Sequence, residues 1–156
     1  MLDLGCGSGE PITRYLIEQG RRVTGVDAAP GLIDLCRLRF PDQEWIVADM
    51  RGLDLGRTFC GVIAWHSLIH IPPEEQPGVF AIFARHLRPG GALMFTSGSE
   101  RGETVGEWRG EPLYHGSLWL EEFRAGLEAT GFGLSRQVSD DPECGGAAVW
   151  LAGRRG

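Results

Sequence analysis

The sequence has no apolar run near the roughly 20 residues a membrane-crossing helix needs, which argues against a membrane-spanning chain. It has no basic excess. Fifteen Lys and Arg stand against 21 Asp and Glu, a formal net charge of −6, and a chain that grips a phosphate backbone needs the opposite balance. It has no C-x-x-C pair. Cys6, Cys36, Cys60 and Cys144 lie far apart and read as reduced thiols of a cytoplasmic protein, not as a metal site or disulfide frame. No secretory leader is expected, because Asp3 and the glycines interrupt the first residues. Glycine is plentiful at 24 residues, yet without the Gly-x-y period of collagen. Internal repeats, low-complexity tracts and domain linkers are likewise missing. What remains is an ordinary globular composition, 42% apolar and 23% charged, in 156 residues, the length of one domain.

What is present is an alternation of strand and helix patterns. Met1 to Leu4 reads as a short strand. Glu10 to Gln19 reads as a helix, with Pro11 in its first turn, Ile12, Tyr15 and Leu16 on one face, and Gly20 as its stop. Arg22 to Val26 is a second strand, ending at Asp27. Pro30 opens a helix with Leu32, Leu35, Cys36 and Arg39 along one side. Glu44 to Val47 and Phe59 to Trp65 are strands three and four. Glu74 to Leu87 is a helix with Val79, Ile82, Phe83 and Leu87 inward, and Ala92 to Thr96 is strand five. This rhythm implies right-handed crossovers and a parallel sheet covered on both faces. The tail differs. After a helix over Glu121 to Thr130, the strands Phe132 to Val138 and Ala147 to Ala152 are joined only by Asp140 to Gly146, too short for a helical crossover, so they pair antiparallel. Residues 97–117 form the one long irregular segment, expected to be functional. His86 reads as a cap-side or surface residue.

The stretch "DLGCGSGE" places Gly5, Gly7 and Gly9 in alternation at the end of the first strand. Glycines let the chain turn sharply and let a ligand approach without meeting a Cβ atom. The helix that follows offers unpaired N–H groups. Eighteen residues after Gly9, strand two ends in Asp27, the place of an acceptor for ribose hydroxyls, and strand three ends near Asp49 on the same sheet edge. This ordered set describes an adenosine site. The dinucleotide fingerprint G-x-G-x-x-G is absent, since the third glycine comes one residue early, and Asp3 beside the turn would repel a pyrophosphate but attract an ammonium group.

On these residues the chain resembles the class I S-adenosylmethionine (SAM)-dependent methyltransferases of the small-molecule type. "LDLGCGSG" is similar to that family's first motif, and "GVDAAPGLIDLCR", "IVADM" and "LRPGGALMFTSG" to its later landmarks, in order. The resemblance implies a three-layer Rossmann-like α/β sandwich, a mostly parallel seven-stranded sheet with the last strand inserted antiparallel. It implies SAM as cofactor, with Asp3, Gly5, Gly7 and Gly9 around its methionine part, Asp27 on the ribose, Ala28 beside the adenine, and Asp49 and Met50 against the adenine. Trp65 and His66 would wall the side to which the methyl group points. Family members usually carry helices and a fuller first strand ahead of the glycine turn, so a lost N-terminal segment is expected here, along with an exposed part of the sheet.

Methyl transfer from a sulfonium is an in-line displacement in which alignment and desolvation matter most. Where the acceptor must shed a proton, "AWHSLIH" offers His66 and His70, and the 97–117 segment offers Tyr114 and His115. Trp108, Arg109 and Tyr114 are candidate substrate contacts, an aromatic wall and a carboxylate clamp. The Asn/Asp-Pro-Pro-aromatic motif of enzymes that methylate adenine or glutamine amino groups is absent after strand four, which with the negative charge speaks against a nucleic-acid substrate. A small-molecule acceptor is the leading reading. A SAM-binding module without transfer activity and a nicotinamide-dependent oxidoreductase are the alternatives.

Overall fold

The computed structural model describes residues 1–108 and 110–156, with only the backbone of Trp108. Its strands are β1 (Leu2–Leu4), β2 (Thr24–Asp27), β3 (Glu44–Val47), β4 (Phe59–Ala64), β5 (Leu87–Ser97), β6 (Gly102–Trp108), β7 (Glu111–Ser117), β8 (Phe132–Asp141) and β9 (Ala147–Arg154). Its helices are α1 (Ile12–Glu18), α2 (Pro30–Arg39), α3 (Gln76–His86) and α4 (Leu120–Ala129). Seven strands form one sheet in the order β3-β2-β1-β4-β5-β9-β8. The first five run parallel, and β9 enters antiparallel between β5 and β8. The short link before β9 allows nothing else.

Helices α3 and α4 cover one face of the sheet. Phe80 and Phe83 of α3 and Phe123 of α4 meet Phe95 of β5 and Trp150 of β9 in an aromatic cluster, with Phe95 and Trp150 stacked at 5.6 Å between centroids. The Trp150 indole N–H donates to Ser97 Oγ at 2.9 Å, so the largest buried side chain is also polar-satisfied. Helix α2 covers the other face over β1–β3, where Ile33 and Cys36 pack with Cys6 and Trp45. On that same face Ala92 of β5 and Leu151 of β9 are exposed.

Both N-terminal helices turn differently from the expected faces. In α1 the buried residue is Thr13, while Tyr15 is 60% exposed. In α2, Ile33 and Cys36 are buried, and Leu32 and Leu35 lie at the surface. Apolar spacing misleads here because the sheet beneath α1 presents a carboxylate, Asp3, which calls for a hydroxyl and not a methyl group.

Two further expectations are corrected. Residues 97–117 are not irregular: β6 and β7 form an antiparallel hairpin apart from the main sheet, Trp108 pairing with Glu111 across the tip. Across Gly102-Glu103-Thr104-Val105-Gly106-Glu107 the one apolar side chain is Val105, so the strand shows no apolar alternation to read. His86 is fully buried at the end of α3. Its Nδ1 lies 2.8 Å from Ile82 O, so that nitrogen donates, and its Nε2 accepts the Leu55 N–H at 3.0 Å. His86→Leu leaves the half-buried Leu55 N–H without its acceptor, so urea denaturation is expected to show about 1–3 kcal/mol of lost stability. All four cysteines are free thiols. Among the described residues no helix is long and apolar enough to cross a membrane.

Candidate cofactor and acceptor site

Strand order reverses between β1 and β4, and a crevice opens there at the carboxyl ends of the strands, the usual ligand position in an open α/β sheet. A cavity of about 710 Å³ occupies it. Each strand end contributes. Asp3, Gly5 and Gly7 come from β1 and its turn, Asp27 and Ala28 from β2, Asp49 and Met50 from β3, and Trp65, His66 and His70 from the segment after β4. Ten sequence-derived candidates therefore line one cavity.

The glycine turn is built from distinct parts. Gly5 has φ +75°, and a Cβ there would lie 2.2 Å from Ser67 Cβ, so the β1 and β4 exits touch through it. Gly7 has φ +57°, and a Cβ there would meet nothing within 4 Å, which leaves its main chain open toward the cavity. Gly9 stands behind the turn, against Phe40 and Cys36, and is not among the described cavity residues.

The carboxylates differ in their surroundings. Asp27 is oriented by two backbone donors: the Gly7 N–H reaches Oδ2 and the Ala29 N–H reaches Oδ1, each at 2.9 Å. Each oxygen keeps a lone pair for a further donor. Asp3 is almost fully buried, and burial pushes its carboxyl up to about 6, against the Thr13 hydroxyl, which donates to Oδ2 at 2.5 Å, and with a small push from Asp27. Asp49 lies in the open. It caps the Arg51 backbone N–H at 2.9 Å and pairs with the Arg51 guanidinium, whose hydrogen bond holds its carboxyl below the usual range. Arg51 reaches on to Glu75 at 2.8 Å. Both ions of each pair are well exposed, so the pairs contribute about 0–1 kcal/mol.

The wall after β4 is tied down by two residues that the sequence reading missed. Ser67, buried, donates from Oγ to Leu4 O at 2.6 Å, clamping the β4 exit to the β1 exit. Thr96 of β5, fully buried, accepts the His66 backbone N–H at 2.8 Å. A polar residue near a strand's carboxyl end was the available signal for each. His66 is held below its ordinary value by partial burial first, then by nearby His70 and His115. Burial, then His70, lowers His115 as well. His70 Nδ1 lies 3.0 Å from the Tyr114 carbonyl, so that nitrogen donates and Nε2 keeps its lone pair when the ring is neutral.

Of the hairpin candidates, Tyr114 and His115 are not among the described residues that line the cavity. Tyr114 and His115 sit on β7, behind His70; the His70 and His115 rings are 5.4 Å apart. The Tyr114 hydroxyl donates to Glu103 at 2.5 Å, and this bond pushes its pKa up to about 12. The Trp108 backbone is at the hairpin tip, and Arg109 lies outside the described residues. No group of three metal-ligating side chains occurs among the described residues.

Residues 1–91 match a family model described as a methyltransferase domain. The malonyl-[acyl-carrier protein] O-methyltransferase of Serratia marcescens is 31% identical over 134 residues, 83% of this chain and 52% of that protein. The dTDP-3-amino-3,4,6-trideoxy-alpha-D-glucopyranose N,N-dimethyltransferase of Streptomyces venezuelae is 32% identical over 60% of this chain and 40% of that protein. The chain thus spans about half the length of the curated relatives it matches. Among solved structures, a SAM-bound amino pentose methyltransferase from Micromonospora echinaspora superposes with TM-score 0.78 at 21% identity, covering 98% of this chain and 82% of that one. A SAM-dependent methyltransferase from Methanosarcina mazei reaches 0.81 at 21% identity, covering 99% and 91%. These likenesses share the fold just described, and with the family match over more than half its length, the chain belongs to the methyltransferase-domain family.

Proposed function

We propose that this chain binds SAM in the crevice between β1 and β4 and takes part in transfer of its methyl group to a small-molecule acceptor. One observation carries the reading: Asp27 is fixed by the Gly7 and Ala29 N–H groups at the end of β2, with free lone pairs aimed where two ribose hydroxyls would donate. The donor set fits the cofactor. Buried Asp3 suits an ammonium group, the Gly5–Gly7 main chain suits a close-lying methionine chain, and Ala28, Met50 and Asp49 suit an adenine ring. Gly9 supports the turn from behind. A pyrophosphate would face Asp3 and be repelled, which speaks against a nicotinamide dinucleotide.

SAM, when bound, supplies a methyl group already activated on a sulfonium. What this chain does is hold, orient and exclude water. Trp65 and His66 wall the acceptor side. Where the acceptor carries a proton on its nucleophilic atom, His70 Nε2 is the lone pair on that wall. The relatives named a dTDP-3-amino-3,4,6-trideoxy-alpha-D-glucopyranose N,N-dimethyltransferase and a trans-aconitate 2-methyltransferase support a small-molecule acceptor, and the net charge of −6 speaks against nucleic acid. Four unpaired thiols suit the cytoplasm.

Thermal shift with SAM, S-adenosylhomocysteine and NAD tests the cofactor. The first two are expected to raise Tm and NAD to leave it unchanged; a rise with NAD alone would overturn the reading. Labelled-methyl transfer into fractionated metabolite pools tests the reaction. SAM binding with no label transferred would leave a binding module without transferase activity.

A further inference from the structure

His66 has a backbone conformation that histidine rarely adopts. Its φ of +48° lies in the left-handed region, where Cβ crowds the following carbonyl. Such a residue persists when its surroundings over-determine it, and such residues gather at functional sites. The restraint here is Thr96, fully buried on the neighbouring strand. Thr96 Oγ1 accepts the His66 backbone N–H at 2.8 Å and stands 3.5 Å from the same residue's Nδ1. A hydroxyl has one hydrogen to donate, and one shut away from water places it on an acceptor. Among the described residues, His66 Nδ1 is the acceptor in reach of that hydrogen.

A ring whose Nδ1 receives a hydrogen bond carries its own proton on Nε2. His70 is the reverse case, because its Nδ1 faces the Tyr114 carbonyl and must donate. Both rings line the cavity. Partial burial and the two neighbouring histidines favour the uncharged form of His66 near neutral pH.

We propose that Thr96 is a positioning residue that favours the Nε2–H tautomer of His66, so that the acceptor side of the cavity offers one N–H from His66 and one lone pair from His70. This rests on the reading of the cavity as the SAM site only for its consequence. The consequence is a substrate class: an acceptor whose nucleophilic atom bears a proton, facing His70, and which carries an oxygen acceptor beside it, facing the His66 N–H. His66 is then a donor that orients the acceptor and not its base.

Long-range ¹H–¹⁵N spectra of the full chain at neutral pH, assigned with His66→Gln and His70→Gln, read the tautomers directly. The wild type is expected to show His66 with its proton on Nε2, and His70 and His86 with theirs on Nδ1. Thr96→Val keeps the shape and removes the hydroxyl, so His66 is expected to become a mixture of tautomers while His70 and His86 stay unchanged. Thr96→Ser is expected to restore the wild-type pattern. A wild-type His66 protonated on Nδ1 sinks the proposal, whether or not the Val variant folds. So does a folded Val variant with an unaltered His66. Calorimetric titration with SAM on the same samples separates the two readings. If SAM fails to bind while the tautomer pattern holds, the cofactor reading falls and the role of Thr96 stands.

Discussion

Replacing Asp3 by Asn is expected to stabilise the ligand-free protein at neutral pH and to weaken its hold on SAM. The Asp3 carboxyl is 2% exposed, and burial lifts it to about 6 from an ordinary 3.8. The folded state therefore keeps a proton that the unfolded chain has already released, and the sign follows. Below pH 3.8 both states are protonated and the carboxyl exerts no penalty. From there to about 6 the stability falls as pH rises, and above about 6 the loss is complete. A displacement of that size corresponds to ~3 kcal/mol at neutral pH. Asparagine carries no charge to bury, and its carbonyl still accepts the Thr13 hydroxyl. Urea denaturation at pH 5 and pH 7.5 should thus show the Asn variant gaining on the wild type as pH rises. The same carboxylate is the proposed partner of the SAM ammonium group. Losing a charge-assisted bond of about 1.5–3 kcal/mol weakens SAM affinity by roughly 10- to 150-fold. In the wild type SAM affinity is expected to rise from pH 5 to pH 7, and in the variant to stay flat. A variant less stable than the wild type at pH 7.5, with SAM affinity intact, would contradict both halves.

Gly5→Ala and Gly7→Ala should part company, although both replace a positive-φ glycine of the same turn. At Gly5 the new methyl group would sit 2.2 Å from Ser67 Cβ and 2.9 Å from its Oγ, the atom that donates to Leu4 O. The left-handed backbone adds ~1–2 kcal/mol for any residue with a Cβ. Forcing β1 and β4 apart at their exits adds overpacking of about 1–3 kcal/mol. Gly5→Ala is therefore expected to lower Tm strongly with or without ligand. At Gly7 the methyl group meets no protein atom within 4 Å, so only the backbone strain of ~1–2 kcal/mol remains. That methyl group stands instead where the cofactor chain would pass. Gly7→Ala is expected to fold, with a modest fall in Tm, and to lose the thermal response to SAM. Scanning calorimetry of the two variants with and without SAM decides the matter. Equal Tm losses, or a Gly7 variant that still answers to SAM, would refute this division of labour.

Much of the site was legible because its signals are local. The turn from Gly5 to Gly9, Asp27 at the end of β2 and Asp49 after β3 are read from spacing along one strand or one turn. The parallel topology then carries those strand ends to one edge. The hairpin was not legible, since residues 102–107 are all exposed and the partner strand is needed to define β6. His86 was misread for a related reason. Its partner is Leu55, 31 residues away, and nothing near His86 in the chain announces a buried imidazole.

The amino-acid order by itself determined the alternation of elements, the antiparallel entry of β9 and the row of strand-end carboxylates, because short-range geometry and chain connectivity leave few other solutions. Only the tertiary structure decided what each of those groups experiences. Thr13 turns inward because Asp3 is buried beneath it, Ser67 bonds Leu4 across 63 residues, and Thr96 holds His66 across 30. Hydrogen bonds of that reach depend on how strands lie side by side, and burial, which lifts Asp3 and fixes the histidine wall, is a property of the packed layers and not of any segment alone.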